Sequence, residues 1–484
     1  MKAKLVSILA TAAALLVTVV VATVAQGALI EGESAVGTGA IAETAWFIGT
    51  VDGDTANDRG QYASVAIDPT DDTIYVSYYD ASSGSLYMAQ SGMVTGNCGP
   101  DNKWYCQKVS SDTVDWGKYS SIAVHTGAGP TDWKVGIAHY ASSGDLIYSE
   151  CAYPVSPSIM EGGNGIAGGG CIWTHSTIDT GSPVFIYKGR YASLAFGASG
   201  TPHISYYTHF ALADDLLKYA HYVGSGGNCG SGAAAGQWEC KTIDTGDGVG
   251  QYTSISLYGA DYPEIAYYDS GNDRLKRAIY TGGFGSGCNP SLSDWVCSVI
   301  DTAGGKYASA GRGLDGNLYI AYATTANKLK YATYVISGGN CGPGNTSWYC
   351  EEIEGIGTDV DFRGISLAID DAGYPVIAYQ RVSPAPESME SLKVARPAGA
   401  LGWVPGVDPL NCAGQFTLFA TWYCETVDAA GYSEQNGDYA SVAVSPAGLV
   451  TVAYYEQDAL NTTGYLQVAY QRFQVFLPLV LRND

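Results

Sequence analysis

The chain has 484 residues, of which 47 are acidic and 24 are lysine or arginine, so its net charge is −23. This charge argues against nucleic acids and anionic membrane surfaces as partners, because both would repel the protein. The 62 glycines and 37 tyrosines are typical of strands joined by many turns, and they argue against a helical protein.

The chain begins with the features of an export signal. Lys2 and Lys4 precede an uncharged apolar run (5–24) and a stretch of small residues that ends at Ala28. The apolar run approaches the roughly 20 residues that span a bilayer, so an uncleaved N-terminal anchor is the alternative. We assign residues 1–28 to a signal peptide or anchor and residues 29–43 to a linker, and we expect a secreted, extracellular or cell-surface protein.

A single strand, TAWFIGTVDG (44–53), precedes seven copies of a repeat. The repeat has four short pieces rich in aromatic and β-branched residues and bounded by turn residues, which is typical of strands. In the first copy they are YASVAID (62–68), IYVSYYD (74–80), SLYMAQ (85–90) and WYCQKVSSD (104–112). The first piece occurs seven times, whereas the fourth, which begins with Trp, occurs six times and is missing from the last copy.

The isolated strand supplies the missing piece, because Trp46 stands five residues before Val51 as in the other fourth pieces. The sequence therefore predicts an all-β fold over residues 44–472. This fold is a seven-bladed β-propeller of four-stranded antiparallel blades, closed by an N-terminal strand that completes the last blade. Residues 473–484 form a C-terminal tail.

The twelve cysteines indicate disulfides rather than metal ligands in an exported chain. In five copies a Cys follows the Trp by two residues and has a partner shortly upstream, and in the second copy both members are shifted. The last copy lacks both, because Ile48 occupies the Cys position of the isolated strand. The predicted pairs, each joining strands three and four of one blade, are Cys98–Cys106, Cys151–Cys171, Cys229–Cys240, Cys288–Cys297, Cys341–Cys350 and Cys412–Cys424.

Two rings of side chains are the candidate ligand-binding residues. They lie where strand one begins and strand two ends, at the end of the blades opposite the disulfides, where the variable loops gather. The candidates are Lys118, Arg190, Lys306, Arg363, Arg381, Asp80, Asp269 and Glu456. They suit an anionic or hydroxyl-rich ligand, and the alternative is that they form salt bridges between blades.

The sequence indicates no metal-ligand set and no catalytic residue. The six histidines have no metal-ligand spacing, and no Gly-x-Ser-x-Gly motif occurs. The acidity either keeps the protein in solution or binds cations such as Ca²⁺, and no other cofactor is indicated.

The repeat begins with Gly-x-Tyr-x-Ser, as in GQYAS (60–64), and its second piece ends in Tyr-Tyr-Asp, as at 78–80 and 267–269. In these features it resembles the secreted bacterial propellers grouped with sialidases and fucose-type lectins, in architecture only. The Ser-x-Asp-x-Gly-x-x-Trp box and the Arg-Ile-Pro motif of sialidases are absent, so no catalytic residue is carried over from that family.

The function that we expect is that of a monomeric binding propeller, which recognises carbohydrate or a surface glycoconjugate through loops on the face opposite the disulfides. A glycan-active enzyme, either a glycoside hydrolase or a lyase, is one alternative. A structural or adhesive envelope protein is the other. Nucleic acid is not expected as a partner, nor is a membrane beyond the N-terminal anchor.

Overall fold

Antiparallel strands form nearly all of the regular structure, as the short aromatic and β-branched pieces predict. The computed structural model describes residues 41–54, 56–110, 115–127, 132–152, 170–259, 261–344, 347–355, 361–383, 390–397, 412, 422–429, 435–458 and 463–476. The expected export signal and the segment from 477 onward lie outside these residues. The described part contains no α-helix, and no helix in it could cross a membrane.

The strands form seven successive groups of four. Group 1 contains β2 (Arg59–Ile67), β3 (Ile74–Asp80), β4 (Ser85–Gln90) and β5 (Tyr105–Lys108). Group 2 contains β6 (Trp116–His125), β7 (Lys134–Ala141), β8 (Leu146–Ala152) and β9 (Trp173–Asp179). Group 3 contains β10 (Ile186–Phe196), β11 (Pro202–Phe210), β12 (Asp215–Tyr222) and β13 (Trp238–Gly246). Group 4 contains β14 (Val249–Tyr258), β15 (Tyr262–Asp269), β16 (Arg274–Tyr280) and β17 (Trp295–Asp301).

The remaining groups follow the same pattern until the last. Group 5 contains β18 (Gly304–Arg312), β19 (Leu318–Thr324), β20 (Leu329–Tyr334) and β21 (Trp348–Glu354). Group 6 contains β22 (Asp361–Ile369), β23 (Pro375–Val382), β24 (Glu390–Pro397) and β25 (Trp422–Ala429). Group 7 contains β26 (Gln435–Val444), β27 (Val450–Gln457), β28 (Gly464–Phe476) and β1 (Ile41–Asp52). Residues Thr44–Phe473 belong to one compact unit.

Groups 1 to 6 are antiparallel with their strands in chain order. Groups 4 and 5 form one eight-stranded sheet, which a parallel bridge between Arg274 and Gly304 joins. Group 7 has the order β1-β28-β27-β26, so its outer strand comes from the N-terminal side of the chain. The side chains of Gln467 and Thr50 also join β28 to β1, at 2.9 Å.

The core lies between successive groups. The second strand of each group is buried along most of its length, because the sheets pack on both of its faces. Each apolar cluster of the described residues combines two successive groups. One of them combines group 7, through Val51 and Val468, with Val65 and Val76 of group 1.

A serine in each first strand links it to the next group. Its hydroxyl accepts a hydrogen bond of 2.9–3.2 Å from a backbone N–H of the following first strand. The serines are Ser64, Ser121, Ser193, Ser254, Ser309, Ser366 and Ser441. The series returns to its beginning, because Ser441 of β26 accepts from Val65 of β2.

A carboxylate at the end of the fourth strand provides a second link. Asp179 of β9 accepts hydrogen bonds from Tyr206 and Lys188 at 2.7 Å, and it also contacts Lys218. Acidic residues at this position accept from the buried tyrosine of the next second strand, and the acceptors are Asp52, Asp179, Asp244, Asp301, Glu354 and Asp428. The first tyrosine of the Tyr-Tyr pairs therefore fills the space between groups, where its hydroxyl has a partner.

All twelve cysteines are paired, and the six pairs are those predicted from the spacing. In five groups the disulfide joins the segment after strand three to strand four, and in group 2 it joins Cys151 of β8 to Cys171, just before β9. All six lie at the end where strand one turns into strand two. We call this end the disulfide face.

Candidate functional site

The predicted cations mostly have local partners at the end opposite the disulfide face. Lys118 pairs with Asp115 at 2.8 Å, Arg363 with Asp361 at 3.0 Å and Arg381 with Glu354 at 2.8 Å. Burial alone would lower the pKa of Arg363, but the hydrogen bond to Asp361 raises it. Of these three pairs, only that of Arg381 joins two groups, as the alternative of salt bridges between blades expects, and the other two are local.

The other two predicted cations, Arg190 and Lys306, form no such pair with a carboxylate among the described residues. The guanidinium of Arg190 lies over the rings of Tyr187 (4.4 Å) and Tyr140 (5.6 Å), and its buried Nε has no hydrogen-bond partner. Lys306 has no hydrogen-bond or ion-pair partner among the described residues. Contact of Arg190 and Lys306 with a ligand stays a prediction.

The three predicted acids stabilise turns and neighbouring strands. Asp80 is buried and accepts hydrogen bonds from Ser82, Ser83 and Arg59. Asp269 accepts from the backbone and side chain of Asn272 at 3.1 Å, and Glu456 accepts from Gln467. Among the described residues, no cluster of three or more His, Cys, Asp or Glu side chains could hold a metal ion.

A ring of tyrosines lines a cavity of about 190 Å³ where the seven first strands meet. Successive rings lie 4.4–4.8 Å apart, centre to centre, from Tyr439 through to Tyr307. The members of this tyrosine ring are Tyr62, Tyr119, Tyr191, Tyr252, Tyr307 and Tyr439. The seventh position is Gly364, which leaves a gap between Tyr307 and Tyr439.

All seven positions have left-handed backbone conformations, with φ between 50° and 56°. This conformation is uncommon for tyrosine. It coincides with an irregularity in the pairing of strands one and two, as between Gln61 and Ser64. The irregularity directs the tyrosine side chain into the cavity.

A larger groove opens between groups 3 and 4, on the disulfide face. This His203 groove has a volume of about 300 Å³, and its lining includes His203, Tyr219, His221, Tyr262, Tyr280 and Trp295. Tyr262 is 41 % exposed, so part of its ring is available to a ligand. Tyr219 and Tyr280 each pack against Trp295, with ring centres 5.5 and 5.7 Å apart.

Polar groups complete the His203 groove. The rings of His203 and His221 are stacked 5.8 Å apart, and His203 Nδ1 lies 2.6 Å from the Tyr219 hydroxyl. Burial lowers the pKa of His203 to about 4, with a smaller contribution from His221, so the ring is neutral near pH 7. The buried Nδ1 of His221 has no hydrogen-bond partner. Glu239, Lys241, Asp261 and Asp294 add charged groups to the lining.

Equivalent grooves lie between groups 5 and 6 and between groups 7 and 1. The Tyr319 groove has a volume of about 410 Å³ and is lined by Tyr319, Tyr331, Tyr374 and Trp422 among others. The Phe47 groove has a volume of about 690 Å³, and Arg472 lies over the rings of Phe47 and Tyr470 there. All three grooves contain the Trp at the start of the fourth piece of the following group: Trp295 and Trp422 begin β17 and β25, and Trp104 immediately precedes β5.

Between groups 4 and 5 the same position is occupied by charged side chains. Glu264 corresponds to His203 in the repeat, and it is buried between Arg277 and Arg312. The three residues fill the space that the His203 groove leaves open. The grooves were not predicted from the sequence, because no single repeat shows which side chains meet between two groups.

No protein-family model matches the sequence, and no curated protein matches it. The chain is similar to the Aleuria aurantia lectin in complex with Fucα1-6GlcNAc, with 13 % identity over 73 % of this chain and 96 % of the lectin (TM-score 0.40). It is also similar to an α-L-arabinofuranosidase from Fusarium graminearum, with 10 % identity over 71 % of this chain and 97 % of the enzyme (TM-score 0.42). A Streptococcus pneumoniae sialidase shows 12 % identity over 87 % and 69 % of the two chains (TM-score 0.34). The predicted resemblance is thus found in architecture alone.

Proposed function

We propose that the seven groups are the blades of one closed β-propeller. Three observations support this arrangement: the series of serine hydrogen bonds that returns from β26 to β2, the apolar cluster shared by groups 7 and 1, and the position of β1 beside β28. In this arrangement the tyrosine ring surrounds the central channel. The disulfides also support the expected export of the protein to an oxidising compartment.

We propose further that this propeller binds carbohydrate, with the His203 groove as its principal site. One observation carries the proposal: a partly exposed aromatic ring and a polar atom without a protein partner line the same concave groove. A sugar ring stacks its C–H face on an aromatic side chain, while its hydroxyls need hydrogen-bond partners at fixed positions. Tyr262 supplies such a ring face, and His221 Nδ1 supplies a buried polar atom that lacks a partner.

The groove lies on the disulfide face, whereas the candidates named from the sequence lie at the other end. We prefer the groove because three of the predicted cations already have carboxylate partners at 3.0 Å or less. The Tyr319 and Phe47 grooves repeat its aromatic lining at other interfaces, which supports binding at more than one site. Binding at several sites would raise the avidity for a glycan-coated surface beyond the affinity of one groove.

The test is glycan-array screening of the folded chain, followed by calorimetric titration of any glycan that binds. Replacement of Tyr262 by Ala should weaken the binding of that glycan about tenfold, because the loss of stacking costs ~1.4 kcal/mol of binding free energy. Tyr374→Ala is the matched variant, because Tyr374 has the same place in the Tyr319 groove and is 38 % exposed. It should leave the affinity of the His203 groove unchanged.

Phe284→Ala serves as the control for a loss of exposed aromatic surface, since Phe284 is exposed and lies outside the grooves. The proposal is wrong if no glycan binds at high surface density. It is also wrong if Y262A and F284A bind the selected glycan with the affinity of the unmodified protein.

A further inference from the structure

The His203 groove carries more negative than positive charge. Three carboxylates line it, those of Glu239, Asp261 and Asp294, together with one lysine, Lys241. Lys241 Nζ lies 2.6 Å from Asp294 Oδ2, so these two charges compensate each other. Glu239 and Asp261 form no ion pair with any described residue. The groove therefore keeps two carboxylates whose charge the described part of the chain does not neutralise.

These two carboxylates lie beside the stacked histidines. His203, His221 and Glu239 are direct partners across β11, β12 and β13, so their side chains share one face of group 3. Asp261 belongs to group 4 and lies close enough to influence the pKa of His203. Its Oδ1 accepts the backbone N–H of Ala198 at 2.9 Å, and no described group donates a hydrogen bond to its Oδ2. One carboxylate without a cation thus comes from each wall of the groove.

The two histidines do not compensate this charge. Burial lowers the pKa of His203 to about 4, and it also lowers the pKa of His221 against the smaller opposing effect of Glu239. Both rings are therefore neutral near pH 7, and a neutral imidazole has one nitrogen that accepts a hydrogen bond. The buried Nδ1 of His221 has no partner among the described residues. The groove thus presents negative charge and acceptor atoms to a ligand.

The neighbouring interface, between groups 4 and 5, shows how the protein fills the same space when the charge is compensated. Glu264 takes the place of His203 there, and both Arg277 and Arg312 contact its carboxylate. The only cation among the described residues that line the His203 groove is Lys241, which is already paired. A ligand with positive charge and N–H donors would supply what the two arginines supply at that interface.

We propose that the His203 groove selects amino sugars that carry a free ammonium group. The sugar ring stacks on Tyr262, and the ammonium group donates a hydrogen bond to Oδ2 of Asp261, the preceding residue. Glu239 adds a second negative charge, and the aromatic rings of the groove add a cation–π attraction. N-acetylated sugars lack the positive charge, and acidic sugars are repelled. This inference rests on the carbohydrate binding proposed above.

The experiment is calorimetric titration of the folded chain near pH 6 with tetraglucosamine, its fully N-acetylated form and tetragalacturonate. Tetraglucosamine should bind about tenfold more tightly than the N-acetylated tetramer, and added salt should reduce this difference because it screens exposed charges. Tetragalacturonate should not bind, because its carboxylates meet those of the groove.

Asp261→Asn should weaken the binding of tetraglucosamine about tenfold and leave that of the N-acetylated tetramer unchanged. Asparagine tolerates the left-handed backbone of Asp261, whose φ is 61°, so the fold should be preserved. Glu352→Gln is the matched control, because it removes one exposed carboxylate outside the groove and changes the net charge equally. It should leave both affinities unchanged.

The outcomes distinguish this inference from the proposed function. If both tetramers bind equally, or if D261N keeps the preference of the unmodified protein, the groove does not select the ammonium group and only the proposed carbohydrate binding stands. If no glycan binds, both proposals are wrong. Equal binding of Nα-acetyl-lysine amide and glucosamine would also overturn the inference, because the sugar ring would then contribute nothing to recognition.

Discussion

At the scale of single residues, the repeat Gly-x-Tyr-x-Ser combines three functions in five positions. The glycine allows close approach, since a Cβ at Gly60 would lie 2.8 Å from the backbone of Leu466. The tyrosine enters the channel from a left-handed conformation, which costs about 1–2 kcal/mol for an L-residue. Contacts between the tilted tyrosine rings around the cavity offset this cost, and the serine joins the next group.

The histidines of the core lead to a prediction about pH. His139 takes the place of the buried tyrosine of other groups, and its Nε2 lies 3.0 Å from Ser149 Oγ. Burial, with a smaller effect of His175, lowers the pKa of His139 to about 3. The unfolded chain takes up a proton near pH 6.5 and the folded chain does not. The stability from this group is therefore complete above pH 6.5 and declines as the pH falls toward 3.

We expect the free energy of unfolding to decrease between pH 7 and pH 5, with His139 contributing up to about 1.4 kcal/mol per pH unit below 6.5. His139→Gln should remove this contribution to the pH dependence of the free energy of unfolding, independently of its effect on stability at pH 7. Denaturant unfolding at pH 7, 6 and 5 measures both quantities. An unchanged slope in H139Q would show that this histidine is not the titrating group.

At the scale of elements, each disulfide connects strands three and four of one group, and the chain segments that the disulfides close differ in length. The Cys151–Cys171 loop spans 20 residues, whereas the Cys98–Cys106 loop spans 8. A longer closed loop restricts the unfolded chain more. The chain-entropy relation gives the longer loop an advantage of about 0.8 kcal/mol.

We therefore expect the double replacement C151S/C171S to lower the free energy of unfolding more than C98S/C106S does. Unfolding by denaturant under non-reducing conditions provides the comparison, with the unmodified protein after thiol blocking as the control for free cysteines. If C98S/C106S is the more damaging change, then local packing, and not loop length, determines the effect of these disulfides.

Much of the fold could be predicted because the repeated pieces and the cysteines occur at regular spacings along the sequence. The count of Trp-initiated pieces indicated that β1 stands beside β28, and the Cys offsets indicated all six pairs. The sequence contains one weak indication of the tyrosine ring. Gly364 replaces Tyr at one copy of a position where the backbone is left-handed, and glycine adopts that conformation readily. The sequence contains no indication of the grooves, because the space between two groups is lined by residues that lie far apart in sequence. The space beside His203, between groups 3 and 4, stays open. The corresponding space between groups 4 and 5 is filled by Glu264, Arg277 and Arg312.

At the scale of the whole molecule, β1 provides contacts that no other segment can supply. Asp52 accepts hydrogen bonds from Tyr78 and Arg59 of group 1, and Val51 is buried in the cluster shared by groups 7 and 1. The first and last described strands, β1 and β28, thus pair in the one group without a disulfide. In the closed ring that we propose, the stability of the seam depends on these contacts and on the pairing of β1 with β28.

Deletion of residues 44–53 should lower the free energy of unfolding by about 3–6 kcal/mol. Losing a buried valine costs about 1.5–3 kcal/mol, and leaving buried polar groups without partners costs a similar amount. Shortening the exposed turn 282–284 is the control and should have little effect. A synthetic TAWFIGTVDG peptide should restore part of the melting temperature in a concentration-dependent manner, because it binds only the folded chain with an open edge. A scrambled peptide should not. Unchanged melting of the deletion would contradict closure, since an open ring has no need of this strand.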